Sequence, residues 1–146
     1  MKKNVSMNDI APFIIETVEK GGTFRLYPKG ISMRPLIRQG KDSVLLKSPD
    51  TLNKFDIVLY KRENGQYVLH RLLNAEGNIV LCGDNEILPE RGVKKEQIFA
   101  KVQTVYRKEK PLSKEPWDMK FYIFFIRARR RLRLMWFKTA KTFGRK

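Results

Sequence analysis

A single cysteine, Cys82, and a single histidine, His70, occur among the 146 residues. One thiol excludes an internal disulfide and a multi-thiolate metal site, so the fold has to stand on an apolar core, and no metal or cofactor is implied. Long apolar runs are missing as well. The most apolar stretch, residues 121–126, stops at Arg127, whereas a spanning helix needs about 20 such residues. The Met-Lys-Lys start runs into Asn-Val-Ser-Met-Asn-Asp rather than an apolar segment, so no cleavable export signal is expected. Acidic residues are scarce, 15 Asp and Glu against 31 Lys and Arg, a net charge of +16. Such a balance calls for a partner that tolerates positive charge: nucleic acid, anionic lipid or an acidic peptide.

The length suits one domain plus a tail, and the charge shows where the tail lies. Residues 107–146 hold 14 Lys and Arg against 3 Asp and Glu, a net +11, which leaves +5 for residues 1–106. Four segments are expected: an N-terminal helix over 1–22, a β domain over 23–107, a linker over 108–117 with Pro111 and Pro116, and a basic tail over 118–146. In the first, Met7, Ile10, Ala11, Ile14, Ile15 and Val18 recur at helical spacing, with Ser6 as the cap and Gly21-Gly22 as the stop. Short alternating runs at 24–26, 43–47, 56–62, 66–73, 79–82 and 98–107 then predict a mostly antiparallel β unit. Asn64-Gly65 predicts a two-residue type I′ hairpin joining the 56–62 and 66–73 strands.

Three short segments could carry chemistry. Gly30-Ile31-Ser32-Met33-Arg34-Pro35 follows a strand; its glycine allows close backbone approach and its serine can stand clear of the sheet, as a nucleophile must. Taken alone, a serine between glycine and proline reads first as a turn residue. His70 shares a strand face with Val68 and Leu72, while Tyr67, Leu69 and Arg71 point the other way. It reads either as a satisfied core histidine or as the only side chain whose unperturbed pKa suits general-base work near neutrality. Gly83-Asp84-Asn85 closes an apolar run. Its carboxylate is either a polar turn residue or, beside His70, the group that fixes the imidazole tautomer.

In this order, Gly-Ile-Ser-Met-Arg-Pro, Lys-Phe-Asp-Ile-Val-Leu-Tyr, Val-Leu-His-Arg and Gly-Asp-Asn resemble the type I signal peptidase clan, which includes the LexA-like self-cleaving repressors. The likeness spans about residues 21–107. It implies a mainly β fold of the signal-peptidase and LexA-like type and a serine endopeptidase with Ser32 as nucleophile. Ordinary bacterial signal peptidases and the repressors use lysine as base; the endoplasmic-reticulum and sporulation types have histidine before arginine, which His70-Arg71 matches. The resemblance implies Asp84 as third member, with Glu86 and Glu90 as further acidic residues downstream. An oxyanion hole is expected from the Ser32 amide and a neighbouring amide of the turn from Gly30 to Met33. Many signal peptidases carry a serine two residues before the nucleophile, where this chain has Gly30. The implied substrates are extended leader or signal-like peptides with small residues near the cleavage point.

The tail places Phe121, Phe124, Phe125, Ala128, Leu132, Met135, Trp136 and Thr139 at steps of three and four, a basic amphipathic helix. Phe121, Phe125, Arg130, Arg131 and Trp136 are the expected contacts with an anionic membrane surface. The other reading packs the apolar stripe on the parent domain. Nucleic acid is disfavoured, because no helix-turn-helix, zinc or RNP-like pattern accompanies the charge. The expected location is peripheral, on the cytoplasmic side of a membrane. Two rival functions stand beside the peptidase: a non-catalytic peptide- or membrane-binding module of the same fold, and a self-cleaving regulatory protein. The latter needs a scissile small-residue pair upstream, where the sequence instead reads as a helix.

Overall fold

A computed structural model describes residues 5–112 and 116–143. Helix α1 (Met7–Glu19) starts at Ser6, whose Oγ accepts from the Asn8 amide at 3.2 Å, and stops before Gly21. Strands follow at β1 (Phe24–Leu26), β2 (Asp42–Lys47), β3 (Ile57–Lys61), β4 (Tyr67–Asn74), β5 (Val80–Cys82), β6 (Glu90–Arg91), β7 (Ile98–Arg107) and β8 (Lys110–Pro111), and helix α2 (Pro116–Phe143) ends the described chain. The strands form one antiparallel sheet in the order β1-β2-β7-β3-β4-β5-β6, with β8 added to β7. The fold is mainly β with a helix at each end, as the alternating runs predict.

Period-two alternation sorts the core into two clusters. Ile57, Leu59 and Leu69 face Ile14 and Val18 of α1, together with Val44, Leu46, Met33 and Ile37. Val58, Tyr60 and Leu72 point to the other side, against Leu81, Val93 and Ile98. His70 stands opposite Val58 and so belongs to this second face, and Arg71 opposite Ile57 belongs to the first. The sequence assigns both correctly.

Two local expectations are corrected. The β3–β4 hairpin has a three-residue loop rather than a two-residue type I′ turn: the Arg62 amide donates to Gln66 O at 2.8 Å and the Gly65 amide to Arg62 O at 2.9 Å. Gly65 alone of the Asn64-Gly65 pair has positive φ, +89°, as in a type I turn closed by a left-handed glycine. Residues 108–112 are not a free linker. Lys108 and Glu109, at φ 49° and 63°, make the tight turn that folds β8 back on β7; with no glycine there, the sequence gives no signal for it.

The pairing of β4 leaves an opening. Residues 67 to 71 pair with β3 on one side, but β5 covers β4 only from Arg71 onward. Among the described residues, the edge of Tyr67, Val68, Leu69 and His70 away from β3 therefore has no strand partner.

Candidate active site

The segment carrying Ser32 lies against that open edge. Gly30 takes φ +95°, and its N–H is held by Gln39 Oε1 at 2.8 Å. Met33 and Ile37 plug into the core, and the Ile37 amide donates to Met33 O at 3.0 Å. With Met33 anchored and Ile31 exposed, Ser32 sits half-buried at the rim. The turn from β5 clamps the same segment: the Asn85 amide donates to Ser32 O at 2.8 Å and Asn85 Nδ2 to Ile31 O at 3.1 Å. Gly83 is obligatory at this crossing, because a Cβ there would lie 2.6 Å from Ser32 O and 3.1 Å from both Ser32 Cβ and Glu86 Cγ.

Ser32 and His70 line one cavity of about 310 Å³, together with Met33, Arg62, Leu69 and Glu86. The structure thus brings together the serine and histidine singled out in the sequence. No hydrogen bond joins Ser32 Oγ to His70 among the described residues; the imidazole nitrogens meet Tyr60 and Glu86 instead.

The imidazole of His70, a residue only 1% exposed, is oriented by a chain of groups on its own sheet face. Tyr60 Oη lies 3.1 Å from Nδ1 and donates its proton to Glu90 Oε2 at 2.6 Å. A hydroxyl has one proton to give, so the Tyr60 oxygen accepts from Nδ1–H. Nε2 is left with its lone pair. Glu86 Oε1 stands 3.5 Å from Nε2, an ion pair once the ring is protonated. Arg62 forks Glu90 through Nε at 3.0 Å and Nη2 at 2.9 Å.

These contacts set the charges. Burial pushes the His70 pKa below its ordinary value, Glu86 and Glu90 pull it back up, and Arg62 adds to the lowering. The neutral ring a general base needs is therefore the form favoured near neutrality. Burial opposes the Glu90 carboxylate, but the Arg62 and Tyr60 hydrogen bonds outweigh it and hold its pKa below the usual range. The Tyr60 phenol is pushed well up, by burial first and the Glu90 contact second, and stays protonated.

Asp84 lies elsewhere, which corrects its expected contact with His70. Its carboxylate takes a fork from Arg71, Nε at 2.8 Å and Nη2 at 2.9 Å, and a third bond from Tyr122 Oη at 2.8 Å. Arg71 Nη1 donates to Phe55 O at 2.9 Å. Asp84 reaches the imidazole only through its charge, after Glu86, Arg62 and Glu90. Tyr60 and Arg62 were missed as site residues because each reads as an ordinary strand residue. A two-residue turn at Asn64-Gly65 would have set Leu59 rather than Val58 opposite His70, so only the three-residue loop puts Tyr60 on the face of His70.

Among the described residues no group of histidine, cysteine and carboxylate side chains is arranged to hold a metal ion, and no helix is long and apolar enough to cross a membrane. Phe121, Phe125, Arg131 and Trp136 are exposed on α2 as expected, but Arg130 is not: it donates to Glu86 O at 3.3 Å and Gly83 O at 3.5 Å, facing the domain.

A mainly antiparallel β domain that presents a serine on a glycine turn beside a buried histidine has the architecture of the serine peptidase and self-cleaving repressor class. The family model described as Peptidase S24-like matches residues 3–103. The chain belongs to that family, within the clan of LexA-like proteins and signal peptidases. No curated protein matches it.

Proposed function

We propose that the chain is a serine endopeptidase of the Ser-His branch, in which the Tyr60–Glu90 pair does the orienting work that the resemblance assigns to Asp84. Its main support is the hydrogen-bond direction at His70: Nδ1–H is given to Tyr60, so the Nε2 lone pair is the one available in the cavity shared with Ser32. Ser32 Oγ attacks the scissile carbonyl carbon while Nε2 takes its proton. The imidazolium then has Glu86 beside Nε2 and Glu90 behind Tyr60, and returns the proton to the leaving amine. Water then adds to the acyl carbon as Nε2 draws its proton, and that proton passes to Ser32 Oγ as the acyl group leaves. The oxyanion falls to the amides of Ser32 and Met33, since Gln39 already occupies that of Gly30.

The open β4 edge suits an extended peptide that adds main-chain hydrogen bonds. A cavity of about 310 Å³ lies at the small end of ligand sites and fits short side chains. Both features favour a leader or signal-like peptide with small residues near the cut. The missing Ser32–His70 hydrogen bond favours a second reading, a peptide-binding module without turnover.

Mass spectrometry of a peptide library rich in Ala-x-Ala segments, with the chain and with Ser32→Ala, separates the two. Cleavage by the chain and a loss of roughly 10³–10⁶-fold in Ser32→Ala is the expected result. Peptide capture without any cleavage would establish the binding module, and equal cleavage by both proteins would remove Ser32 from the mechanism.

A further inference from the structure

Helix α2 has three faces of different chemistry. One is docked on the domain: Ile126 is buried, Tyr122 bonds Asp84 and the Leu36 amide, and Arg129, Arg130 and Arg133 reach the 83–86 turn. A second holds Phe121, Phe124, Phe125, Leu132, Met135 and Trp136, all exposed, with Trp136 at 73%. The third carries Arg127, Arg131, Lys138 and Lys141, also exposed. The alternative in which the apolar stripe packs on the parent domain is therefore not what the helix does. Its docking residues are a tyrosine, an isoleucine and three arginines, and the aromatic stripe faces away.

The domain extends this apolar surface. Leu88, 76% exposed, and Ile87 stand beside Leu132, Trp136 and Phe137. A contiguous apolar patch of this kind on a soluble surface marks an interaction site. Its border selects the partner, because the stripe is flanked along the helix by the outward arginines of a C-terminal region, residues 107–146, that carries net +11.

We propose that this face is an interface for an anionic lipid bilayer. The aromatic stripe and Leu88 enter the boundary between headgroups and acyl chains, and Arg127 and Arg131 contact the lipid phosphates. The inward arginines keep a separate task, tying the helix to the 83–86 turn. That turn belongs to both regions, since Glu86 borders the cavity of Ser32 and the groove beside Trp136. Resting on the peptidase reading, this adds a substrate class: peptides presented at the membrane surface. The lipid interface itself does not depend on that reading.

Co-sedimentation of the full chain with vesicles tests it. Vesicles containing phosphatidylglycerol should bind the chain, phosphatidylcholine vesicles should bind it far more weakly, and added salt should weaken the binding. Arg127→Gln with Arg131→Gln should lower affinity about 30-fold, at roughly fivefold per arginine, whereas Arg129→Gln with Arg133→Gln should leave it within about threefold. Trp136→Ala should lower it by roughly tenfold. Circular dichroism checks that each variant is folded, and Ser32→Ala should bind like the parent whether or not it cleaves peptide. Equal binding to both vesicle types, an equal effect of the two arginine pairs, or self-association in solution without vesicle binding would each overturn the proposal.

Discussion

His70 and Arg71 are consecutive on β4, both buried, and they leave the sheet on opposite sides into opposite chemical situations. On the Arg71 side every strong group is satisfied: the guanidinium holds both oxygens of Asp84 and a backbone carbonyl, and Tyr122 adds a third bond to the carboxylate. On the His70 side one nitrogen is tied and the other faces a cavity with a half-exposed serine and glutamate. Buried polar groups are ordinarily saturated, so the saturated side reads as architecture. The side with a spare lone pair has capacity for chemistry.

The largest effect that could break this comparison is in stability. Asp84→Ala leaves the Arg71 charge buried without its partner, and such a loss costs about 3–5 kcal/mol, measurable by urea unfolding. An Asp84→Ala chain as stable as the parent but inactive would move Asp84 into the catalytic group. Tyr60→Phe should act on rate instead. It strands Nδ1–H without its acceptor, an unsatisfied buried donor worth about 1–3 kcal/mol, or roughly 10–100-fold in kcat with KM little changed. An unaltered kcat would remove Tyr60–Glu90 from the orienting role.

The smallest effect is a shift in pH profile. The acid limb of kcat/KM reports the free-enzyme base, and burial places it below the ordinary histidine value. Glu86 raises the His70 pKa, so Glu86→Gln should move the limb to still lower pH. A shift to higher pH, or none, would show that Glu86 does not face the base. Stability carries the matching sign. Because the folded-state pKa is lowered, His70 contributes fully above the unfolded value, and that contribution is lost as pH falls below it, where the unfolded chain takes up the proton first.

Much of the site was legible because its signals are local. The glycine turn around Ser32, the lone histidine and its strand parity each need only a few neighbouring residues. The partners of the two carboxylates were not legible: Tyr60 meets Glu90 across 30 positions and Asp84 meets Tyr122 across 38. The Asp84 assignment followed a motif, and a motif does not say which side of β4 a carboxylate will reach. Residues 108–112 differ for another reason: proline and charge there resemble a linker, while the turn depends on the backbone at Lys108 and Glu109.

By itself the sequence determined the order of the two helices and of β1 to β5 and β7, the two faces of β4 and the amphipathic pattern of the tail, because periodicity and turn chemistry act over a few residues. Only the tertiary structure decided which carboxylate supports the histidine, which arginines of α2 turn inward, and that the aromatic stripe stays uncovered. Those outcomes depend on which distant side chains the folded sheet brings within hydrogen-bond reach, and no local pattern encodes that distance.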